Sequence, residues 1–333
     1  MTVVVAGFDA SPPSSPYRRT EFLEDNPWDG FGSPKEQVGL DEQARYSGAL
    51  ESPTAAFVLA DSLLSREIGG GRLPTAETAE KVFEIDIEIS KPEFDPSGFP
   101  TGRAYKSTTF SCGVAYAGSV AMSQLVIDRF RQAMKNLRYT WIDGKWKGPG
   151  RYAICAMGDA EDITAPSNHR ISYTDDIDFA RRSLPPLEAD FAAGIFARCF
   201  NEALKDHFPK EAEFRPNGDV DIKIEFVLLA FCQSQNAPRI YRLTWADDRD
   251  VFPLGSKSVR QEVEYDEFVV LGHSSWTPEM IKSRNDAIES RTSVQTCTER
   301  RLTAMVRAHE SENFVGGAIK AGRLNYLGFQ KRL

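Results

Sequence analysis

The sequence predicts an α+β fold in which helices segregate onto antiparallel sheets. Three observations carry that expectation. Residues 81–89, KVFEIDIEI, alternate apolar and charged with period two, as a half-buried strand requires. Residues 119–137 gather Val120, Leu125, Val126, Ile127, Phe130 and Met134 on one helical face, with Asp128, Arg129 and Arg131 in the outer sector. The elements also come in blocks (strands, two helices, strands, a helical region, a closing strand) and not in βαβ alternation. Two central sheets between helical layers satisfy that order.

The elements follow from local chemistry. Thr2–Ala6 is β-branched and apolar, which suits a strand covered on both faces. It stops before SPPSSP at residues 11–16, whose prolines cannot sit in a central strand. From there to about Pro53 the chain is polar and rich in turn formers, with scattered Phe22, Trp28 and Phe31, and reads as a long surface insertion. Ala55–Asp61 is a short strand ending on an acid, and Gly69-Gly70-Gly71 a loop. Phe110–Ala117 is a strand feeding the helix Ser119–Leu137. Residues 138–186, with WIDGKWKGPG, SNHR and the acidic TDDID, read as irregular, a second insertion. A second helix spans Leu187–Phe208. Strands then run Ile222–Phe231 and Arg239–Trp245, joined through Asn236-Ala237-Pro238, with a further strand at Phe268–Leu271. A helical region covers about Pro278–Ala308, and Phe314–Ile319 reads as a closing strand entered through Gly316-Gly317. No internal repeat is visible.

Composition excludes several classes. The 333 residues are 41% hydrophobic and 26% charged, which is ordinary for a folded chain and rules out collagen, a coiled coil or wholesale disorder. The 40 basic and 48 acidic residues give −8, without the concentrated basic face that phosphate backbones need, so no nucleic-acid partner is expected. Five cysteines at 112, 155, 199, 232 and 297 form no CxxC pair, which argues against a disulfide framework or zinc knuckle and fits a reducing cytoplasm. His169, His207, His273 and His309 lack short metal-ligand spacing. Asp175-Asp176-Ile177-Asp178 and Asp219-Val220-Asp221 lack the glycine and terminal glutamate of a calcium loop. Gly255-Ser256-Lys257-Ser258 lacks the upstream glycine of a phosphate loop. No metal and no cofactor is expected. The start of the chain has no basic region of the export type. The longest uncharged stretch, Ser107–Ile127, is broken by Ser111, Gly113, Gly118, Ser119, Ser123 and Gln124 and reads as strand plus helix, with no membrane association.

Thr2 follows the initiator methionine, which cells normally remove before so small a residue. A threonine hydroxyl is a weak nucleophile at neutral pH. An N-terminal threonine carries its own possible base, an α-amine of pKa about 7.7–8.0.

The pieces AAFVLAD, EKVFEI, GVAYAGSVA, EFVLLAFCQSQNAPRIYRL, EFVVLGHS and ENFVGGAI occur in the order and with the character of proteasome-type β-subunits. The chain thus resembles the N-terminal-nucleophile (Ntn) peptidases, including the bacterial HslV type, over most of its length outside residues 10–54 and 138–186. The resemblance implies a four-layer αββα sandwich, so residues 1–333 are expected to form a single domain carrying two insertions. It also implies Thr2 as nucleophile, with Asp61 and Lys81 as its catalytic partners. A lysine ammonium beside the hydroxyl lowers the cost of the alkoxide or relays its proton, and the aspartate orients and balances the lysine. Gly118, in the turn Ala117-Gly118-Ser119, falls where the family places its oxyanion hole. Ala79 and Tyr116 fall at the substrate pocket, expected to be shallow and suited to small or medium side chains because Tyr116 takes up volume.

Three places in the chain depart from the family pattern. Gly272-His273-Ser274 stands for Gly-Ser-Gly beside the amine, Glu312 for an aspartate, and Val315 for a serine. His273, Ser274 and Glu312 are therefore supporting candidates, with His273 able to carry a proton or simply to sit in a turn. The implied activity is a threonine-type peptidase acting on peptide or unfolded polypeptide. It would work in a homo-oligomeric ring, with an ATP-dependent unfoldase as possible partner. Two other readings stay open on the residues alone: a non-catalytic scaffold subunit, and an Ntn amidase acting on a small molecule.

Overall fold

The computed structural model describes residues 3–9, 53–68, 71–76, 79–95, 100–142, 151–156, 186–207, 224–246, 257–309 and 315–332. Thr2, Glu312 and most of both expected insertions lie outside the described residues.

The architecture is mixed α/β. A five-stranded antiparallel sheet runs in the order β12-β1-β2-β13-β14, with β1 Val4–Asp9, β2 Ala55–Asp61, β12 Val269–Leu271, β13 Ile319–Asn325 and β14 Gly328–Arg332. A seven-stranded sheet runs β11-β10-β9-β6-β5-β7-β8. Its strands are β5 Val82–Phe94, β6 Pro100–Gly118, β7 Leu137–Ile142, β8 Arg151–Ala156, β9 Ile224–Cys232, β10 Ala237–Ala246 and β11 Lys257–Glu262. Only the β5–β7 pairing within it is parallel. A small hairpin, β3 Leu64–Ile68 with β4 Gly71–Ala76, links β2 to β5. The helices among the described residues are α1 Val120–Lys135, α2 Ala189–His207, α3 Thr277–Ser290 and α4 Val294–His309.

Period-two alternation explains how the strands are buried. In β1 and its approach, Val4, Ala6 and Phe8 join the cluster between the sheets, while Val3 and Val5 join one containing Met280, Leu302 and Val306 of α3 and α4. β2 splits the same way: Ala56, Val58 and Ala60 face the other sheet, Phe57 and Leu59 the helices. In β6, Ala115 and Ala117 face inward, whereas Cys112, Val114 and Tyr116 pack with α1 and α2. Aromatic edges lock that second packing, with Phe130–Phe196 centroids 4.8 Å apart and Phe196–Phe226 5.1 Å apart.

The structure corrects several expectations. The stretch expected to be irregular from residue 138 supplies strands β7 and β8 to the sheet edge. The WIDGKWKGPG segment hides the strand character of LRYTWI and RYAICA on either side. β6 begins ten residues earlier than expected, because residues 100–109 extend a long ribbon whose described side chains are largely exposed and therefore polar. Gly71, expected in a loop, opens β4 of the β3–β4 hairpin. The long helical region is two helices, broken where Arg291 turns left-handed at φ 54° and Thr292 N–H closes onto Ala287 O at 2.9 Å.

The closing strand is displaced as well. Residues 315–318 are loop, and the chain ends in the hairpin β13–β14. Its key residue is Phe329, only 1% exposed. The ring occupies the space where side chains at Gly113 of β6 and Gly322 of β13 would stand, each Cβ falling 2.1 Å from it. Those two glycines let the two sheets share one ring.

At the far end of β1, Asp9 is fully buried. It accepts from Val294 N–H at 2.9 Å and Ser293 Oγ at 3.0 Å, capping α4 from a distant strand, and it pairs with Arg323.

Candidate active site

The site begins where β2 ends. Asp61 and Lys81 are both fully buried and paired, Lys81 Nζ donating to Asp61 Oδ1 at 3.0 Å and also to the Leu63 carbonyl at 2.5 Å. Asp61 Oδ1 accepts from the backbone N–H of Val3 at 2.9 Å, and Oδ2 from that of Gly316 at 3.3 Å. Backbone bonds stitch the same segments together: Asp61 N to Val3 O at 3.2 Å, Leu63 N to Gly316 O at 3.0 Å and Ala79 N to Ser62 O at 2.9 Å. The carboxylate thus ties the chain's start, the end of β2 and the loop before β13 to one lysine.

A charge buried this deeply survives only when paired and hydrogen-bonded. Burial pushes the Asp61 carboxyl above its usual value, opposed by the Lys81 charge and by the Val3 and Gly316 N–H groups. Burial likewise pushes Lys81 down from its usual value, opposed by Asp61. The two shifts bring the proton affinities of the partners toward each other, which suits a lysine that gives and takes a proton.

Other candidates converge on this end of the sheets through register. The β5–β6 ladder starts at Val82↔Ala115, so Lys81 and Glu80 continue alongside Tyr116–Gly118, and Tyr116 Oη donates to the Glu80 carbonyl at 3.5 Å. Gly118 closes β6 at φ 115°, in the region that favours glycine, immediately before α1. The β1–β12 ladder pairs Val4 with Leu271, which brings Gly272, at φ 77°, level with Val3. His273 then stacks on Trp276, centroids 5.3 Å apart at 22°. Ser274 is exposed and opens a short 3-10 turn, its carbonyl accepting from Thr277 Oγ1 at 2.8 Å. Its side chain makes no hydrogen bond to Asp61 or Lys81 among the described residues. Val315, in place of the family's serine, is fully buried among the apolar side chains of α3 and α4.

Ala79 and Tyr116 line one cleft of about 560 Å³ at the edge of β5, together with Phe83 and Val120. Its polar walls are Glu80, Glu84, Gln124, Arg131 and Lys331. Tyr116 does not fill this space as expected: it stacks against Phe83, centroids 6.1 Å apart at 27°, and is 2% exposed. Burial pushes its hydroxyl up to about 12, so it stays a neutral donor.

Sequence reasoning missed the backbone groups that complete the Asp61 environment: Val3 N–H, Gly316 N–H and the Leu63 carbonyl. The Gly316-Gly317 pair was the available signal, since backbone can approach a carboxylate closely where no Cβ intervenes. No group of three or more His, Cys, Asp or Glu that could hold a metal occurs among the described residues, and no described helix is long and apolar enough to cross a membrane.

No protein-family model matches the sequence, and no curated protein matches it. Among solved structures, a mutant of Anbu from Hyphomicrobium sp. strain MC1 is similar at 11% identity and a TM-score of 0.44, the match covering 100% of this chain and 86% of that one.

Proposed function

We propose that the chain is an N-terminal-threonine peptidase of the proteasome type, with Thr2 as nucleophile once Met1 is removed. One observation carries the reading: a fully buried Lys81–Asp61 pair whose carboxylate accepts the backbone N–H of Val3, the residue bonded to Thr2. Consecutive Cα atoms are about 3.8 Å apart, so chain connectivity holds Thr2 close to that pair.

In this reading the Thr2 hydroxyl loses its proton to the α-amine, and its oxygen forms a bond to the substrate carbonyl carbon. Lys81 stabilises the developing alkoxide, and Asp61 orients and balances Lys81. The Gly118 N–H holds the oxyanion, an interaction worth about 2.7–4 kcal/mol when one such donor is removed. Collapse breaks the C–N bond, the leaving amine takes the proton, and water then hydrolyses the Thr2 ester. Gly272 and His273 border the amine in place of the family's Gly-Ser-Gly, with Ser274 and Glu312 as further supporting groups. The fold is read as the four-layer αββα sandwich, residues 1–333 as one such domain, and the assembly as a homo-oligomeric ring open to an unfoldase. Ala79 and Tyr116 line the pocket for the residue preceding the cleaved bond.

The test uses intact mass and a threonine-directed epoxyketone. Loss of Met1 and a single adduct on Thr2, together with loss of turnover in Thr2→Ala, are expected. Retained Met1, or unchanged hydrolysis in Thr2→Ala, refutes the reading.

A further inference from the structure

We propose that the cleft at the edge of β5 selects a cationic side chain, lysine or arginine, at the residue preceding the cleaved bond, and that Glu84 is the selecting group. The inference rests on the peptidase reading for its meaning and on the cleft itself for its chemistry. Two cations line the cleft, and both are already paired: Lys331 with Glu80, and Arg131 with Asp128 at 2.7 Å. Glu84 has no cationic partner among the described residues. The lining and its partners therefore carry one surplus negative charge.

Glu84 is also held in place. Ser111 Oγ lies 3.0 Å from its Oε1 and 2.9 Å from the Phe329 carbonyl, its one proton shared between these two acceptors, and the same oxygen accepts from Phe329 N–H at 2.9 Å, so the carboxylate sits against the buried β6–β14 junction. Among the described residues nothing bonds the second carboxylate oxygen, which leaves it for a guest. Phe83 and Tyr116, stacked side by side, offer an apolar wall for the methylene stem of a long side chain. An apolar stem with a cationic tip is the shape that matches this wall and this acceptor. A carboxylate guest would meet Glu84 with like charge, and a purely aliphatic one would cover Glu84 without supplying a cation.

The experiment compares fluorogenic amides carrying arginine, leucine or glutamate before the scissile bond on the full chain, wild type against Glu84→Gln and Glu84→Lys. Charge-assisted hydrogen bonds contribute about 1.5–3 kcal/mol, so at least a tenfold fall in the arginine-to-leucine ratio of kcat/KM is expected for Glu84→Gln. Inversion toward glutamate is expected for Glu84→Lys. An unchanged ratio, or a wild type preferring leucine, overturns the proposal while leaving the peptidase reading intact. If the wild type hydrolyses none of the amides, the peptidase reading fails. Calorimetric titration of N-acetyl-arginine amide then decides the cleft: binding weakened tenfold or more in Glu84→Gln supports it. Equal affinity in the two proteins, or none in either, overturns it.

Discussion

Replacing Lys81 by methionine keeps an unbranched side chain of similar length and removes the one cation paired with Asp61 among the described residues. The carboxylate would retain the Val3 and Gly316 N–H groups but stand as an uncompensated buried charge, and the Leu63 carbonyl would lose its donor. Breaking a buried pair from one side costs about 3–5 kcal/mol. At about 1.4 kcal/mol per decade, that is two to four decades in the folding equilibrium. Asp61→Asn should cost a similar amount for a different reason. It strands the Lys81 ammonium, and its new amide donor either meets the Gly316 N–H or displaces the Val3 bond.

The two variants also predict opposite pH slopes. In Lys81→Met, the Asp61 pKa rises further above its ordinary 3.8, so the native state holds a proton that the unfolded chain has lost, and stability falls as pH rises above 3.8. In Asp61→Asn, the Lys81 pKa drops further below its ordinary 10.5. The unfolded chain then binds the extra proton, and stability falls as pH drops below 10.5. Urea unfolding from pH 4 to pH 10, followed by far-UV circular dichroism, measures both slopes, and the double variant Asp61→Asn/Lys81→Met completes the cycle. The double variant should be less destabilised than the sum of the singles by more than about 1 kcal/mol, since contacting residues do not add. Singles costing under about 1 kcal/mol each, or effects that simply add, would refute the account of the pair.

Two further outcomes follow from the packing and the thiols. Gly322→Ala places a Cβ 2.1 Å from the Phe329 ring and should destabilise the fold by about 1–3 kcal/mol as the ring is driven from its slot, read from the urea midpoint at unchanged m. An unshifted midpoint would mean the ring has room to move. Cys112 is fully buried with its thiol pushed up by burial, and Cys199 is nearly so with its thiol pushed up to about 11, whereas Cys155 and Cys297 are half-buried. Native iodoacetamide labelling at pH 8, mapped by mass spectrometry, should modify Cys155 and Cys297 well before Cys112 and Cys199. Equal rates would contradict the burial.

Strands 55–61 and 81–89 and the first helix were legible because their side-chain periodicity is local; in the helix Val126, Ile127, Phe130 and Met134 are buried as expected, whereas Val120 is exposed. The residue types at 61 and 81, and the resemblance that singled them out, were legible for the same reason: each sits at the end of a recognisable strand. The last hairpin was not. IKAGRLN carries lysine, glycine, arginine and asparagine where a strand pattern wants apolar alternation, and it forms a strand because Gly322 makes room for a ring seven residues later. Strands β7 and β8 were hidden by the glycine- and lysine-rich chain between them.

Most of all, nothing near position 81 distinguishes a fully buried lysine from a solvated one. Its burial is decided by Asp61, 20 residues away, and the carboxylate's own state by Val3 and Gly316, 58 and 255 residues from it. Periodicity is written residue by residue in the sequence. The partners that allow a charge to leave water exist only once distant segments have met.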